Sequence, residues 1–264
     1  MIDFKKKKLF LLDMDGTIYL GDRLFDGTLD LLQAIRQQGG RYLFATNNSS
    51  RGVEAYVERL RRMGIPAQAK DFLTSVDALI WYLRGRYDDA CIYVFGTQSF
   101  RQQLADAGFR VTDRVEDDVS LLVCGFDTEL TFQKLEDACI LLGRGVDFLA
   151  TNPDLVCPTA YGSVPDCGCV CEMLFQATGR RPRVIGKPEP EMVRLSMERC
   201  GVGPEETVIL GDRIYTDIAC GVRAGIDTAF VLSGEGTEAD IQRFGIQPAG
   251  IYRDVREIER LLRA

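Results

Sequence analysis

Short apolar runs alternate with helical segments along this chain, and several of these runs end in turns that carry Asp, Asn or Gly. The run Leu9–Leu12 is continuously apolar and leads into DMDGT, and a second run at residues 42–45 leads into TNNSS. Uninterrupted apolar runs of this length are typical of parallel strands that are buried on both faces. The alternation therefore predicts an α/β fold with a Rossmann-like, doubly wound parallel-sheet core.

Two further segments of the same kind lie far downstream. Residues 184–185 precede GKPEP, and residues 207–210 precede GDRIYTD. Ligands of open parallel sheets bind beyond the carboxyl ends of the strands, so we expect the polar ends of these four strands to meet in space. Those ends are at Asp13, Thr46, Lys187 and Asp212.

A second α/β pattern separates the two halves of the first one. It occupies about residues 77–182, which is long enough for a domain of its own. These residues carry 9 basic and 16 acidic side chains, so the whole net charge of −7 lies within them. We predict a core whose first part is 1–76 and whose second part is 183–264, with an α/β domain inserted at 77–182.

Composition excludes several kinds of chemistry and several kinds of partner. The chain has no histidine, which rules out a Ser-His-Asp triad, a Cys-His pair and any histidine metal ligand. A sequence pI of about 4.9 argues against binding to nucleic acid or to an anionic membrane. The nine cysteines are an odd number, and the apolar run after the four N-terminal lysines is too short for a secretion signal. We therefore expect a cytoplasmic location with reduced thiols.

The carboxylates after the first strand are the strongest chemical feature. Asp13 and Asp15 flank Met14, and such a pair can attack an electrophile, hold a hard cation or move a proton. Attack on a phosphate dianion would require positive charge from a lysine and Mg²⁺. The alternative is an Asp-rich turn that bends at Gly16.

The other strand ends offer groups that suit the same chemistry. Thr46 and Asn47 can donate to phosphoryl oxygens, while the alternative, which the motif taken alone favours, is that Ser49 or Ser50 caps the next helix. Lys187 lies between Gly186 and Pro188, and a surface lysine is the alternative interpretation. Asp212 and Asp217 suit Mg²⁺, while Asp217 alone could cap the next helix.

Taken together, in this order, these motifs resemble the haloacid dehalogenase superfamily of phosphotransferases. The similarity is strongest to the NagD-like, para-nitrophenylphosphatase-like branch with a class IIA α/β cap, and it covers nearly the whole chain. The matching segments are LFLLDMDGTIYLGD, FATNNSSR, FLATNPDLVCPT, VIGKPEPEM and VILGDRIYTDIACGVRAGI.

The resemblance implies a Mg²⁺-dependent phosphatase of small phosphomonoesters such as sugar phosphates or nucleotides, with para-nitrophenyl phosphate as an artificial substrate. It assigns the nucleophile that becomes aspartyl phosphate to Asp13 and the general acid and base to Asp15. Thr46, helped by Asn47, would hold the phosphoryl oxygens, and Lys187 would neutralise charge. The implied metal ligands are the carboxylates of Asp13 and Asp212, the backbone carbonyl of Asp15, and Asp217 directly or through water.

The inserted domain would then be a cap that selects the leaving group. Asn152 and Asp154 in ATNPDLVCPT are expected to face the substrate, and caps of this kind often support homodimers. Relatives commonly carry a Gly-Ala-Gly-Ser-like stretch where this chain has Cys167, Cys169 and Cys171 in DCGCVC. We interpret that stretch as small side chains at a helix start, with a soft-metal or redox site as the alternative.

Two other functions remain open at this point. A phospho-Asp signalling domain also uses an Asp, a Thr and a Lys, but receiver domains are about half as long and have no inserted cap. A non-catalytic nucleotide-binding α/β module is the second, although GxGxxG is absent after the first strand. A stable phospho-Asp13 would favour the first alternative, and nucleotide binding without turnover would favour the second.

Overall fold

The computed structural model describes residues 2–159 and 161–264, in which strands and helices alternate as the sequence predicts. The strands are β1 (Leu9–Leu12), β2 (Tyr19–Leu20), β3 (Arg23–Leu24), β4 (Arg41–Thr46), β5 (Phe72–Thr74), β6 (Cys91–Phe95), β7 (Arg110–Thr112), β8 (Val119–Cys124), β9 (Asp147–Ala150), β10 (Val156–Thr159), β11 (Gly162–Pro165), β12 (Arg183–Val184), β13 (Thr207–Gly211), β14 (Asp227–Val231) and β15 (Gly250–Tyr252). The α-helices are α1 (Thr28–Gln37), α2 (Val53–Arg62), α3 (Ser75–Leu83), α4 (Gln98–Asp106), α5 (Phe132–Gly143), α6 (Cys167–Thr178), α7 (Glu191–Cys200), α8 (Ala219–Ala224), α9 (Glu238–Phe244) and α10 (Val255–Arg263).

The described chain divides into two compact units. The first contains the residues up to Thr46, Val53–Leu73 and Lys187–Ala264, and the second contains Asn47–Gly52 and Thr74–Gly186. These units are defined by their internal contacts. The domain boundaries that we predicted after residues 76 and 182 concern domains that fold independently, and they stay a prediction.

The first unit is built on a six-stranded sheet with the order β15-β14-β13-β1-β4-β5. Its β1 runs parallel to both neighbours, β13 and β4. All four residues of β1 are buried, because its apolar side chains pack on both faces of the sheet. When only the strands of this sheet are counted, their order is that of a doubly wound fold. β4 and β5 are added on one side of β1, and β13, β14 and β15 on the other, so the order reverses between β1 and β13. The predicted fold class is confirmed.

The second unit has its own five-stranded sheet, in the order β12-β9-β8-β6-β7. Every pairing in this sheet is parallel. Its core includes Phe95, Phe148 and Leu174, which are contributed by two strands and by α6. The predicted strand at 184–185 was wrongly grouped with the first sheet. The structure places it at Arg183–Val184, where it pairs with β9 of the second sheet.

Several short elements have no counterpart in the predicted pattern. The pairs β2-β3 and β10-β11 are antiparallel hairpins of two and four residues a strand. A π-helical turn at Ile214–Ile218 precedes α8. The hydrogen bonds of such a turn span one residue more than those of an α-helix. In the described part of the chain, we find no helix with the length and apolar character required to cross a membrane.

Candidate active site

The reversal point of the first sheet positions two of the predicted aspartates. Asp13 directly follows β1, and its backbone N–H donates to the carbonyl of Leu210 in β13 at 2.9 Å. Asp212 directly follows β13, whose Leu210 lies beside Leu12 in the parallel register. Both carboxylates therefore emerge at the same edge of the sheet, where doubly wound folds bind their ligands.

The ammonium group of Lys187 contacts three separate segments of the first unit. Its Nζ donates to Asp13 Oδ1 and to Asp217 Oδ1, both at 2.6 Å, and to the carbonyl of Ala45 in β4 at 3.1 Å. The lysine side chain is only 4% exposed, and that of Asp217 is 1% exposed. A buried lysine with these partners is a positioned charge and not the solvated surface lysine of the alternative interpretation.

Burial and like charge dominate the electrostatics of this cluster. Burial raises the pKa of Asp13 well above its ordinary value, and the nearby Asp217 carboxylate raises it further. Burial raises the pKa of Asp212 to about 6, with Asp217 again adding to the effect. For Lys187, burial alone would lower the pKa, but Asp13 and Asp217 together raise it above its ordinary value. Two carboxylates thus share the ammonium group of Lys187, and the third, that of Asp212, lies beside them, so the cluster carries an excess of negative charge.

The same carboxylates fit a hard divalent cation. Oxygens of Asp13, Asp212 and Asp217 lie within 4.8 Å of one another. Asp212 Oδ2 accepts the backbone N–H of Glu235 at 2.7 Å, whereas the buried Oδ1 has no hydrogen-bond partner among the described residues. A buried, unpaired carboxylate oxygen beside a second carboxylate suits Mg²⁺, which proteins hold through one or two carboxylates and several waters. The residues present therefore fit the expected metal.

Two glycines hold the chain close to the Asp212 carboxylate. Gly16 adopts a φ of +85°, and a Cβ on it would lie 2.4 Å from Asp212 Oδ2. A Cβ on Gly234 would lie 2.0 Å from the same oxygen. Both positions therefore need glycine, because any side chain would fill the space beside the carboxylate.

Asp15 is the exposed carboxylate of the site, and the sequence analysis did not predict its partners, Tyr19 and Arg59. Tyr19 donates its hydroxyl to Asp15 Oδ2 at 3.1 Å, and Arg59 Nη1 lies 3.8 Å from the same oxygen. The Arg59 guanidinium also stacks on the Tyr19 ring. Desolvation raises the pKa of Asp15 against the opposing effects of Arg59 and Tyr19. Tyr19 lies only two residues after DMDGT, and this closeness in sequence could have indicated its contact with Asp15.

The predicted phosphate-binding residues fall in different units. Thr46 ends β4 in the first unit and is buried. Asn47 belongs to the second unit, where its Nδ2 donates to Asp154 Oδ2 at 2.9 Å. Asn152 Nδ2 donates to the same oxygen at 3.0 Å and to Asp166 Oδ1 at 3.2 Å. Asn47, Asn152 and Asp154 therefore form a buried polar network, and their contact with substrate stays a prediction.

The cysteine-rich stretch forms the start of α6, as we expected, but its three thiols do not contact the same group. Cys167 and Cys171 are buried and lie close to Cys124, which is 43 residues earlier than Cys167. Cys169 instead donates its thiol to the carbonyl of Leu155. Cys169 therefore lies apart from the other two, and Cys124 is the third thiol beside Cys167 and Cys171.

Comparisons with known proteins show the family. Residues 10–110 match the family model described as haloacid dehalogenase-like hydrolase, and residues 184–258 match the model described as HAD-hydrolase-like. The acid sugar phosphatase of Staphylococcus aureus is 32% identical over 253 residues, which are 96% of this chain and 97% of that protein. The chain belongs to the haloacid dehalogenase-like hydrolases.

Solved structures agree with this membership. A 4-nitrophenylphosphatase from Thermotoga maritima superposes with a TM-score of 0.92 at 36% identity, over 98% of this chain and 99% of that chain. A glycerol phosphate phosphatase from Mycobacterium tuberculosis, solved in complex with magnesium, gives a TM-score of 0.90 at 29% identity, over 98% of this chain and 78% of that chain. The resemblance to the NagD-like, para-nitrophenylphosphatase-like branch is confirmed, and so is the class of phosphoric monoester hydrolase.

Proposed function

We propose that this chain is a Mg²⁺-dependent phosphatase that hydrolyses small phosphomonoesters through an aspartyl phosphate on Asp13. The observation that carries the proposal is the contact of Lys187 Nζ with Asp13 Oδ1 and Asp217 Oδ1, both at 2.6 Å. One fixed ammonium group in contact with a carboxylate at a sheet edge orients that carboxylate and offsets the charge of an incoming phosphate. A structural ion pair would need neither the neighbouring Asp212 nor its unpaired oxygen.

The first step forms an aspartyl phosphate. The Asp13 oxygen that does not contact Lys187 attacks phosphorus, and the bond between phosphorus and the leaving oxygen breaks. Asp15 donates its proton to that oxygen, so the leaving group departs as an alcohol. Desolvation raises the pKa of Asp15, which is the direction that suits a general acid.

The second step regenerates the enzyme. Asp15, now ionised, takes a proton from a water molecule that attacks phosphorus, and the bond to Asp13 breaks to release inorganic phosphate. Tyr19 and Arg59 hold the Asp15 side chain in place through both steps. Thr46 would donate its hydroxyl to the phosphoryl oxygens, since it ends the strand next to β1.

Magnesium would be held by Asp13 and Asp212 together with the backbone carbonyl of Asp15, and it would neutralise the charge on the phosphoryl group. Asp217 already accepts from Lys187 and from the backbone N–H of Arg213. We therefore assign it a supporting role, in which it reaches the cation through water. The relative that was solved with magnesium supports this choice of metal.

The relatives also favour a substrate class. They are named for sugar phosphate, glycerol phosphate and 4-nitrophenyl phosphate, which are all small phosphomonoesters. In the second unit, the buried Asp154 Oδ1 has no partner in the part of the chain that is described. Such an oxygen is a suitable acceptor for a hydroxyl group, so we propose sugar or polyol phosphates as substrates that Asn152 and Asp154 contact.

A steady-state assay with 4-nitrophenyl phosphate and a panel of sugar, polyol and nucleoside phosphates tests the function. We expect EDTA to abolish turnover, Mg²⁺ to restore it, and Asp13→Asn to lower kcat/KM by at least about 10³-fold. Asp26→Asn is the matched control, because Asp26 forms an exposed ion pair with Arg256. Full activity of the EDTA-treated chain or of Asp13→Asn would refute the proposal, and a stable phosphoenzyme without turnover would support phospho-Asp signalling instead.

A further inference from the structure

Three cysteines that the phosphatase mechanism does not use meet inside the second unit. This thiol cluster consists of Cys124, Cys167 and Cys171. Cys124 ends β8, Cys167 begins α6, and Cys171 lies one helical turn further on. Cys124 and Cys167 have no exposed surface, and Cys171 is 7% exposed.

The sulfur atoms have the spacing of metal ligands. Cys167 Sγ lies 3.8 Å from Cys124 Sγ and 4.0 Å from Cys171 Sγ, and all three atoms are within 4.8 Å of one another. Metal–sulfur bonds in proteins are about 2.3 Å long, so three sulfurs around a planar three-coordinate ion are about 4.0 Å apart. Two of the three separations therefore match such an ion without movement of the backbone.

Two of these cysteines lie at the start of a helix, and one of them, Cys171, has a lowered pKa. α6 is twelve residues long, and Cys167 and Cys171 lie in its first turns. The positive end of a helix stabilises a nearby thiolate, which is the form of cysteine that binds metals. Hydrogen bonds from the thiols of Cys124 and Cys167 hold the pKa of Cys171 below its ordinary value. The pKa values of the buried Cys124 and Cys167 thiols are raised, so these two would lose their protons only when a metal binds.

The number and type of donors select the metal. Within the residues that the structure describes, this group has three members, and the chain has no histidine to add a fourth ligand. The thiol of Cys169 is turned to the carbonyl of Leu155. Structural zinc sites almost always have four ligands, whereas soft thiolates also select copper(I).

We propose that Cys124, Cys167 and Cys171 form a three-coordinate thiolate site for a soft monovalent cation of the copper(I) class. Binding would form three metal–sulfur bonds and release the remaining thiol protons to solvent. The apolar shell around the cluster, which includes Ala150 and Leu174, would keep water from the ion. Cys171 provides the entry, since it retains the exposed surface.

The bound ion would connect β8 to the start of α6. Asp166 caps this helix and accepts from Asn152, so the polar network of the second unit adjoins the thiol cluster. Metal binding should therefore stabilise the second unit against heat. The proposal does not depend on phosphatase activity, because its test measures metal uptake by the whole chain.

Titration of the reduced, metal-free full-length protein with copper(I), in competition with a chromophoric chelator, tests the site. We expect one equivalent to bind with thiolate charge-transfer absorption in the ultraviolet. Cys124→Ser and Cys167→Ser should weaken binding by more than about 100-fold, beyond the range for loss of an outer-shell partner. Cys139→Ser and Cys200→Ser are the controls, and both should bind like the parent chain.

X-ray absorption on the copper-loaded parent chain covers the case in which a variant does not fold. Three sulfur neighbours at about 2.3 Å would support the proposal. Two sulfurs, nitrogen or oxygen neighbours, or no stoichiometric uptake would overturn it. Formation of a disulfide within the cluster in place of metal uptake, seen as the loss of two hydrogens in the intact mass, would also overturn it.

Discussion

Replacement of Lys187 by methionine removes the one positive charge that contacts Asp13 and Asp217. Methionine replaces the unbranched aliphatic part of lysine and lacks only the ammonium end, so the packing change is small and the charge change is complete. The ammonium group lies 2.6 Å from each carboxylate, and the side chain is 4% exposed. The variant therefore leaves two carboxylates buried without their partner.

The size of the effect follows from this burial. Removal of one partner from a buried ion pair costs about 3–5 kcal/mol, against about 0–1 kcal/mol for an exposed pair. At about 2–4 °C for each kcal/mol in a chain of this size, the melting temperature should fall by about 6–20 °C. The catalytic rate should fall by at least about 10²-fold, because a fixed charge near the phosphoryl group is lost.

The dependence on pH distinguishes lost charge from lost packing. The pKa of Lys187 is raised in the folded chain, so its stabilising charge is present in full at pH 7. In the variant, protonation of Asp13 at lower pH removes the repulsion, since burial raises the pKa of that group. The difference in melting temperature between parent and variant should therefore shrink as the pH is lowered.

Differential scanning calorimetry in EDTA, with and without excess Mg²⁺, measures these effects. Mg²⁺ should restore part of the lost stability of Lys187→Met, because a cation replaces the missing charge. Lys8→Met is the matched control, since Lys8 contacts Glu206 at 2.5 Å but is 64% exposed. A fall of less than about 2 °C, or a difference that does not change with pH, would refute the electrostatic argument for the site.

Two further predictions concern glycine and a buried acid. Gly16→Ala should lower kcat/KM by at least about 10²-fold, because a Cβ would lie 2.4 Å from Asp212 Oδ2. Gly39→Ala is the control: its φ is +79° and the space around it is open, so it should cost only about 1–2 kcal/mol of stability. Equal kinetics for the two variants would contradict the role of the contact. Burial raises the pKa of Asp166 to about 7, so the folded chain binds more protons than the unfolded chain between about pH 4 and 7, and stability should fall as the pH rises through that window. Asp166→Asn should lose that slope, by about 2–4 kcal/mol over the window, in urea unfolding followed at several pH values, and an unchanged slope would be the contrary result.

Two aspartates of the candidate site could be predicted because Asp13 and Asp212 directly follow buried, neighbouring parallel strands. The ends of β1 and β13 meet at one sheet edge whatever their separation in sequence, and that rule brings Asp212 beside Asp13. Lys187 also reaches Asp13, across 174 residues, but the strand before it belongs to the second sheet, so the rule gave the right contact from a wrong strand assignment. Burial of β1 on both faces made its apolar run unambiguous.

Other features depend on contacts that a local pattern does not encode. β5 and β7 are three residues long, which is too short for a periodic pattern. The strand before Lys187 was predicted one residue later than β12, and its pairing in the second sheet was not. The contacts of Tyr19 with Asp15 and Arg59 require the turn after β1 and a helix to come together. The third member of the thiol cluster, Cys124, lies on a different strand from the cysteine-rich stretch.

Chemical trapping of the phosphorylated enzyme measures the central claim most directly. The chain is mixed with 4-nitrophenyl phosphate and Mg²⁺, quenched in acid within the first turnover, digested, and analysed by mass spectrometry; Asp15→Asn is treated in the same way to slow the second step. The account predicts a peptide that contains Asp13 with one added phosphoryl group, more abundant in Asp15→Asn. Phosphate on another residue, or product release with no phosphorylated peptide in either protein, would contradict it.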